Sequence, residues 1–302
     1  MARRGYRWWY LDGTSADGAH HVVVIAFVGS VFSPFYARAA QRGAADPSEF
    51  CAFNVGLYNR TSRHTWVFSE YQPTAISRSA TAFGIGANQV RWDGERLRIA
   101  VDDRSAPLQQ SIKGTITARP RALTERPFRF GRDDAHRWWP VAPILDLAVD
   151  IDSAGLHWQG RGYTDMNDGA EPLHEGFDDW HWCRWHDDDV SRIQYRARHS
   201  DGETTSLDLS IDPTGAVHTN DLPGAQALRR SGWGIAREQY GAAAAPRVAT
   251  LDDTPFYARS LLLRDGTSPV MHESLSLTRF RRAWVRQLLP FRMRFPIGRL
   301  FR

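Results

Sequence analysis

The amino-acid sequence predicts an all-β protein of antiparallel sandwich or barrel type, built from two modules. Runs of β-branched and aromatic residues recur along the 302-residue chain, and turn signals separate them at short intervals. Long amphipathic helical patterns are nearly absent, and the predicted strands are more than one small barrel needs. The Pro-rich stretch HRWWPVAP predicts a boundary, so the expected modules are residues 1–140 and 141–302.

The first module is expected to begin with a buried strand and a short helix. HHVVVIAFVGSVF lies between Asp-Gly and Ser-Pro signals, which is typical of a buried strand. SPFYARAAQRG predicts one or two helical turns. CAFNVGLYNRTSRHTWVFSEY then predicts two strands around the polar connection from Asn59 to Ser62.

Hairpins are expected to continue along the chain. ILDLAVDIDSAGLHWQGRGY places four apolar side chains on one strand face, turns at residues 152–155 and returns through Leu156. The four apolar residues are Leu145, Leu147, Val149 and Ile151. Further turns are predicted at Asp93-Gly94, Asp201-Gly202 and Asp212 to Gly215, and YGAAAAPRVATLDDTP is interpreted as a connection.

Composition and charge limit the possible functions. Twelve tryptophans favour a large hydrophobic ligand, and two cysteines make no metal or disulfide framework, so a reducing compartment is expected. The sequence shows no apolar run of signal-peptide or transmembrane length, which predicts a cytoplasmic protein. From Arg279 onward there are eight arginines and no acidic residue, so the formal charge of +4 leaves about −4 on the body. A nucleic-acid surface is therefore not expected.

Two short stretches contain candidate site residues. In GRGYTDMNDG, strand periodicity would point Tyr163, Asp165 and Asn167 the same way. The alternative is a solvent-facing strand edge that ends in an Asx-turn at residues 167–169. In HRWWPVAP, an extended conformation would also place His136 and Trp138 on one face, although histidine beside tryptophan is typical of core packing too. The pattern does not decide whether the two stretches meet.

Other patterns do not predict a metal or cofactor site. HEGFDDWHWCRWHDDD collects His174, His181, Cys183 and His186, but their spacing fits no zinc or calcium template. GIGANQ lacks the third glycine of a dinucleotide fingerprint, and Ser30 lacks the nucleophile-elbow pattern. No metal and no cofactor are predicted.

Eight segments, in order along the chain, share the pattern of one family. They are GYRWWYLDGTSADG, IAFVGSVFSPFYARA, CAFNVGLY, HRWWPVAP, GRGYTDMNDGAEPL, DWHWCRW, HESLSLTRF and RAWVRQLLPFRM. In these segments the sequence resembles the carotenoid 1,2-hydratases, also called hydroxyneurosporene synthases.

The resemblance implies two lipocalin-like modules and a cofactor-free reaction. Water is added across the terminal carbon–carbon double bond of an acyclic carotene such as neurosporene or lycopene. The catalytic positions implied are His136, Trp138, Tyr163 and Asp165, and Asp12 matches a recurrent position without an assigned role. Asn167, Trp158 and Trp182 are expected to bind the substrate.

The chemistry of an isolated alkene agrees with these residue types. Such an alkene must first be protonated, so Asp165 would need a pKa raised above its model value of about 3.9 by desolvation. Tyr163 or Asn167 could hold and reprotonate it. Trp138, helped by Tyr163, would stabilise the tertiary cation, because aromatic faces attract positive charge and are poor nucleophiles. His136 could orient the water or accept its proton.

Two other functions use the same residues or the same pocket. If the pocket excluded water and folded a shorter polyene, an internal double bond would capture the cation and the protein would be a terpene cyclase. A lipocalin-like carrier of an apolar ligand would need the pocket but not the acid.

The basic tail suggests a way to reach a bilayer-soluble substrate. Its arginines alternate with apolar residues, which suits the interface of an anionic membrane and predicts peripheral attachment on the cytoplasmic side. The alternative is a strand followed by a basic end, because Pro290 and Pro296 interrupt any long helix. The apolar residues are Trp284, Leu288, Leu289, Phe291, Phe295 and Phe301.

Overall fold

A computed structural model describes residues 4–43, 45–59, 64–241, 244–264, 268–289 and Arg294, and it confirms the all-β prediction. The strands are β1 (Tyr6–Ser15), β2 (His20–Val28), β3 (Cys51–Asn59), β4 (Thr65–Tyr71), β5 (Ile76–Arg78), β6 (Ala82–Ile85), β7 (Asn88–Trp92), β8 (Leu97–Arg104), β9 (Ser111–Pro120), β10 (Phe128–Phe130), β11 (His136–Ile151), β12 (Leu156–Gly169), β13 (Phe177–Asp187), β14 (Val190–His199), β15 (Thr204–Ile211), β16 (Val217–Asn220), β17 (Ala225–Leu228), β18 (Arg237–Tyr240), β19 (Arg247–Asp253), β20 (Tyr257–Leu263) and β21 (Val270–Ser276).

The helices of the described residues are short. They are α1 (Pro34–Gln41), α2 (Leu173–Gly176), α3 (Leu277–Phe280) and α4 (Ala283–Leu288), with 3-10 turns at Pro47–Glu49, Pro73–Ala75, Arg132–Asp134 and Asp152–Ala154. The predicted helix is α1: Ser33 caps it by accepting from the Tyr36 amide, and Pro34 opens its first turn. None of these helices is long and apolar enough to cross a membrane.

The predicted hairpins are present, with one correction. The segment interpreted as a connection after Tyr240 contains β19, because residues from Arg247 pair with β20. Residues 60–63, in the predicted connection between β3 and β4, lie outside the described residues. The same holds for Phe291, Phe295 and Phe301 of the tail and for its two prolines.

The chain forms two compact units. The first contains residues 1–128, 136–172 and 288–302, and the second contains residues 129–135 and 173–287. This division differs from the predicted boundary after residue 140, which falls inside β11. That strand continues through Pro140 and Pro143 by shifting its register at both places, and it pairs with β12 and β9.

The first unit is a single curled antiparallel sheet. Its strand order is β4-β3-β2-β1-β12-β11-β9-β8-β7-β6-β5, and β4 contacts β8, so the sheet curls back on itself. A buried carboxylate, Asp103, joins these strands: it accepts from Ser69 Oγ at 3.0 Å and from Tyr71 OH at 2.6 Å. Arg294 donates to it at 2.8 Å and pairs through its backbone with β4 between Phe68 and Glu70.

One face of this sheet is an apolar core. The predicted apolar face of β11 is part of it, from Leu145 to Ile151 in alternate positions, which confirms that prediction. The buried members, which we call the apolar core, are Leu11, Val22, Val24, Ala26, Val28, Cys51, Phe53, Val55, Leu57, Val67, Phe83, Ile85, Ile99, Val101, Ile112, Ile116, Ala118, Ala142, Leu145, Leu147, Val149 and Ile151.

The second unit contains a sheet of order β16-β15-β14-β13-β21-β20-β19 and a smaller one of β17 and β18. One face of the larger sheet carries buried polar side chains. His181 Nδ1 lies 3.0 Å from Ser274 Oγ, and His272 Nε2 lies 2.8 Å from the Glu238 carbonyl oxygen. Burial lowers the pKa of His272 to about 3, so this histidine is neutral at physiological pH.

Candidate active site

The residues around Asp165 lie in a central strand and not at a turn. β12 runs to Gly169 and pairs with β1 on one side and β11 on the other. The alternative of an Asx-turn at residues 167–169 is therefore wrong, because both neighbouring strands continue the ladder to its end. Tyr163, Asp165 and Asn167 consequently share one face, as their spacing predicts.

Strand register brings the two candidate stretches together. On β11, Trp138 lies opposite Asn167 and His136 lies opposite Gly169. Directly opposite residues of an antiparallel pair share a face, so both side chains stand beside the β12 residues. This arrangement answers the question that the sequence pattern left open.

Asp165 is held by hydrogen-bond donors from its own strand and from β11. Trp138 Nε1 and Tyr163 OH both donate to its Oδ2 at 2.9 Å, and Asn167 Nδ2 donates to Oδ1 at 2.9 Å. The residue is 5% exposed. Charge-assisted bonds of this kind stabilise a carboxylate, whereas burial favours the neutral acid.

Aromatic rings surround this carboxyl group. Trp138 and Tyr163 are fully buried, and the Phe128 ring lies 5.5 Å from the Trp138 ring at an interplanar angle of 34°. The Tyr10 ring meets the Tyr163 ring edge-on at 6.3 Å. A positive charge formed near Asp165 would therefore face aromatic surfaces that can stabilise it.

A second buried carboxylate, Asp12, lies on the same face. It stands opposite Tyr163 on β1 and accepts from Tyr10 OH at 2.9 Å. Sequence reasoning gave Asp12 no role and missed Tyr10. A signal was present, since Tyr10-Leu-Asp12 repeats the spacing of Tyr163-Thr-Asp165, and in both pairs the tyrosine donates to the aspartate.

His136 is held at both ring nitrogens. Tyr6 OH lies 2.9 Å from Nδ1, and Glu171 Oε1 lies 3.0 Å from Nε2. The Tyr6 and His136 rings also stack with their centroids 5.8 Å apart. Sequence reasoning singled out His136 but missed both partners. Tyr6 is 130 residues away in the sequence and Glu171 is 35 residues away, so local spacing does not link them to His136.

The remaining predicted residues lie elsewhere. Trp158 packs against the apolar core on the opposite face of the sheet, so the structure does not bring it to Asp165. Trp182 is buried on β13 in the second unit. Asp168 also points away from Asp165 and pairs with Arg7 and Arg137 at 3.2 and 2.5 Å. Of the three predicted substrate-binding residues, Asn167 alone joins the Asp165 network described above.

The histidine-rich segment has strand geometry. His181 and Cys183 alternate with Trp180 and Trp182 on β13, and burial raises the pKa of the Cys183 thiol to about 12. Among the described residues, no group of three or more His, Cys, Asp or Glu side chains has the arrangement of a metal site.

The fold and the site together define a class: an all-β, lipocalin-like protein with a carboxyl group buried among aromatic rings. A crystal structure of an AttH protein from Nitrosomonas europaea has the same fold. It aligns with a TM-score of 0.57 at 13% identity, over 90% of this chain and 92% of that one.

Sequence comparison identifies the family. The model of the carotenoid hydratase CrtC family matches residues 24–300. The acyclic carotenoid 1,2-hydratase of Thiocapsa roseopersicina is 40% identical over 295 residues, which cover 96% of this chain and 73% of that protein. The enzyme of the same name from Rubrivivax gelatinosus is 36% identical over 299 residues, with the same coverage of both chains. The chain belongs to the carotenoid hydratase family, whose members are hydro-lyases, and the resemblance drawn from the eight segments is confirmed.

Proposed function

We propose that this protein adds water across the terminal carbon–carbon double bond of an acyclic carotene, such as neurosporene or lycopene, to give a tertiary alcohol. The observation that carries the proposal is the buried Asp165 carboxyl, held by Trp138, Tyr163 and Asn167 within an aromatic environment. Proton addition and water capture involve no change of oxidation state between protein and substrate. The proposed reaction therefore needs no redox cofactor, and we propose that it proceeds without any cofactor.

Asp165 is the proposed acid. Two donors meet on Oδ2, whereas Asn167 donates to Oδ1, so we assign the transferred proton to the less heavily bonded Oδ1. The proposed role requires the proton to be on the carboxyl group before the reaction, and burial in general favours the neutral acid. After transfer to the less substituted alkene carbon, the same donors stabilise the carboxylate that remains. This combination suits an acid that must protonate a weakly basic alkene.

The cation formed at the tertiary carbon is the proposed intermediate. The Trp138 and Tyr163 rings would stabilise it through their quadrupoles without forming a bond to it. Water then attacks the cation, and the resulting oxonium gives up a proton. His136 is the proposed acceptor of this proton, and its return to Asp165 closes the cycle.

Isotope labelling of wild type and two variants tests this proposal. Wild type, Asp165→Asn and Asp168→Asn would be incubated with lycopene in ¹⁸O-labelled water, and the products analysed by mass. Asp168 is a matched control because it lies on the same strand but faces two arginines on the other side of the sheet. Labelled alcohol is expected from wild type and Asp168→Asn, and loss of the general acid should reduce it about 10²–10⁴-fold in Asp165→Asn.

Other outcomes would point to the alternatives. Equal turnover by wild type and Asp165→Asn would remove Asp165 from the reaction. A cyclised, unhydrated isomer of a shorter polyene would favour a cyclase. Binding of lycopene without any turnover by wild type would favour a carrier.

We further propose peripheral contact with an anionic membrane on the cytoplasmic side, through the surface around Trp233 and Trp284. These side chains are 46% and 41% exposed and stack with their rings 6.5 Å apart. Arg279 donates to the Trp233 carbonyl oxygen at 2.7 Å, so a cation lies beside the pair. Tryptophan and arginine together suit a membrane interface that carries anionic lipid.

Vesicle sedimentation tests the membrane proposal. The double variant Trp233→Ala/Trp284→Ala is expected to bind anionic phosphatidylglycerol vesicles several-fold more weakly than wild type. Leu123→Ala is the control, because Leu123 is exposed in the first unit. Unchanged sedimentation of the double variant would contradict the proposal.

A further inference from the structure

The residues Tyr6, His136 and Glu171 form a hydrogen-bonded chain from the buried face to the protein surface. Tyr6 and His136 are both buried, whereas the Glu171 side chain is 42% exposed. The two links measure 2.9 Å from Tyr6 OH to His136 Nδ1 and 3.0 Å from His136 Nε2 to Glu171 Oε1. Both distances are within the range of direct hydrogen bonds.

We propose that these three hydrogen-bonded residues store the proton that the attacking water releases. Glu171 is the positioning residue that makes His136 basic enough to hold this proton. The inference rests on the proposed hydration and extends it to Tyr6 and Glu171, which the reaction scheme has not used. In each turnover Asp165 gives one proton to the alkene, and the captured water later loses one. The imidazolium of His136 holds that second proton until it returns to Asp165, so protons balance over the cycle.

The partners of His136 determine which nitrogen carries the proton. An ionised carboxylate only accepts hydrogen bonds, so Nε2 carries a hydrogen and donates it to Glu171. In the neutral ring, Nδ1 then accepts from Tyr6 OH. A proton that reaches Tyr6 from the water can pass to Nδ1 while Tyr6 gives up its own, and the Glu171 carboxylate stabilises the resulting imidazolium.

Gly169 provides the room that this contact needs. It lies between Tyr6 on β1 and His136 on β11, paired with both. A side-chain carbon at this position would lie 2.7 Å from His136 Nδ1 and 2.8 Å from Tyr6 Cζ, which is closer than atoms approach in folded proteins. The absent side chain therefore allows the tyrosine hydroxyl to reach the imidazole.

The hydrogen-bonded chain lies on the same face of the sheet as the proposed acid. Asn167 stands between Gly169 and Asp165 along the same face of β12, and His136 stands two residues before Trp138 on β11. Four residues of strand correspond to about 13 Å between the backbone positions of Gly169 and Asp165. Acid and proton store are thus separated along the site, so His136 and Asp165 exchange no proton directly and the proton returns to Asp165 through water.

A titration by NMR tests the positioning role without any assay of activity. Full-length wild type and Glu171→Gln would be labelled with ¹⁵N and ¹³C in histidine, and the His136 signals assigned by their loss in His136→Gln. In wild type we expect a protonated Nε2 and a bare Nδ1 at high pH. Removing the partner charge should lower the His136 titration midpoint by about one pH unit in Glu171→Gln. Glu175→Gln, an exposed glutamate nearby in sequence, should leave it unchanged.

The pH profile of lycopene hydration tests the catalytic use. A base must be neutral to accept a proton, so the acidic limb of turnover should follow the His136 midpoint and move down with it in Glu171→Gln. Turnover on the plateau should fall about tenfold, because lowering the titration midpoint of the base by about one pH unit makes it bind its proton ten times less tightly. Tyr6→Phe, which keeps the ring and removes the hydroxyl, should lower turnover without lowering the affinity for lycopene.

The outcomes separate this inference from the proposed function. If wild type gives no labelled alcohol, the proposed hydration fails whatever the NMR result. If wild type is active but Glu171→Gln changes neither the midpoint nor the pH profile, the proton store is overturned. A shifted midpoint with an unchanged profile would also overturn it, because His136 would then be titrating outside the reaction. If Glu171→Gln does not fold, Tyr6→Phe carries the same test.

Discussion

The strands β1, β12 and β11 present two faces that differ in what they contain. One face contributes Leu11, Leu145 and Leu147 to the apolar core. The other carries Asp12, Asp165 and their aromatic and amide partners, and it is just as well buried. Along each of these strands, alternate side chains thus pack in the core or take part in the candidate site. Variants on the first face should change stability, and variants on the second should change activity.

The largest effect is expected from Leu147→Ala on the core face. Truncating a fully buried leucine removes apolar contacts and leaves a cavity, which costs about 2–5 kcal/mol of the free energy of unfolding. Turnover per folded molecule should stay within about twofold of wild type. Chemical denaturation and active-site-normalised kinetics measure the two quantities. A large loss of turnover in the folded variant would show that the two faces are coupled.

An intermediate effect is expected from Trp138→Phe on the site face. Phenylalanine keeps an aromatic ring but removes the Nε1 donor to Asp165 Oδ2. A hydrogen bond to a charged group contributes about 1.5–3 kcal/mol, so turnover per folded molecule should fall about 10–100-fold, apart from any loss of stability caused by the smaller ring. The control is Trp139→Phe, because the neighbouring Nε1 donates to Thr124. Equal losses in the two variants would argue that the Asp165 bond is unimportant.

The smallest effect is expected from Trp158→Phe. This residue is partly buried against the apolar core, so the change should cost less than about 1.5 kcal/mol of the free energy of unfolding. The Michaelis constant for lycopene should not change, although sequence reasoning expected Trp158 to bind substrate. A raised Michaelis constant without a loss of stability would restore that expectation.

Local sequence patterns predicted the individual strands better than they predicted which strands pair with one another. Strand periodicity gave the apolar face of β11 and the shared direction of Tyr163, Asp165 and Asn167, because alternation is a property of each strand by itself. The Pro-rich stretch, on which the predicted module boundary depends, lies inside β11. Its prolines sit at register shifts within a continuous strand, where a missing amide donor is tolerated, and not in a linker.

The candidate site depended on information that the sequence holds only indirectly. The catalytic roles of His136, Trp138, Tyr163 and Asp165 came from a family resemblance, whereas Tyr6 and Glu171 came from the structure. Tyr6 reaches His136 through the pairing of β1 with β12 and of β12 with β11. Such register between distant strands is set by packing across the whole sheet, which local spacing does not reveal. One alternative placed Gly169 in a turn, since an Asn-Asp-Gly sequence indicates a turn more often than close packing.

The bond between Arg294 and Asp103 has a consequence for biosynthesis. Arg294 follows Asp103 by 191 residues, and its backbone pairs with the edge strand β4. A ribosome releases the chain from its N-terminus, so the edge of β4 at Phe68 and Glu70 stays open, and Asp103 lacks this cation, until nearly the whole second unit has emerged. An open strand edge is a template for unwanted pairing with other chains. Nascent chains that stall within the second unit should therefore be the form of this protein that most needs a chaperone.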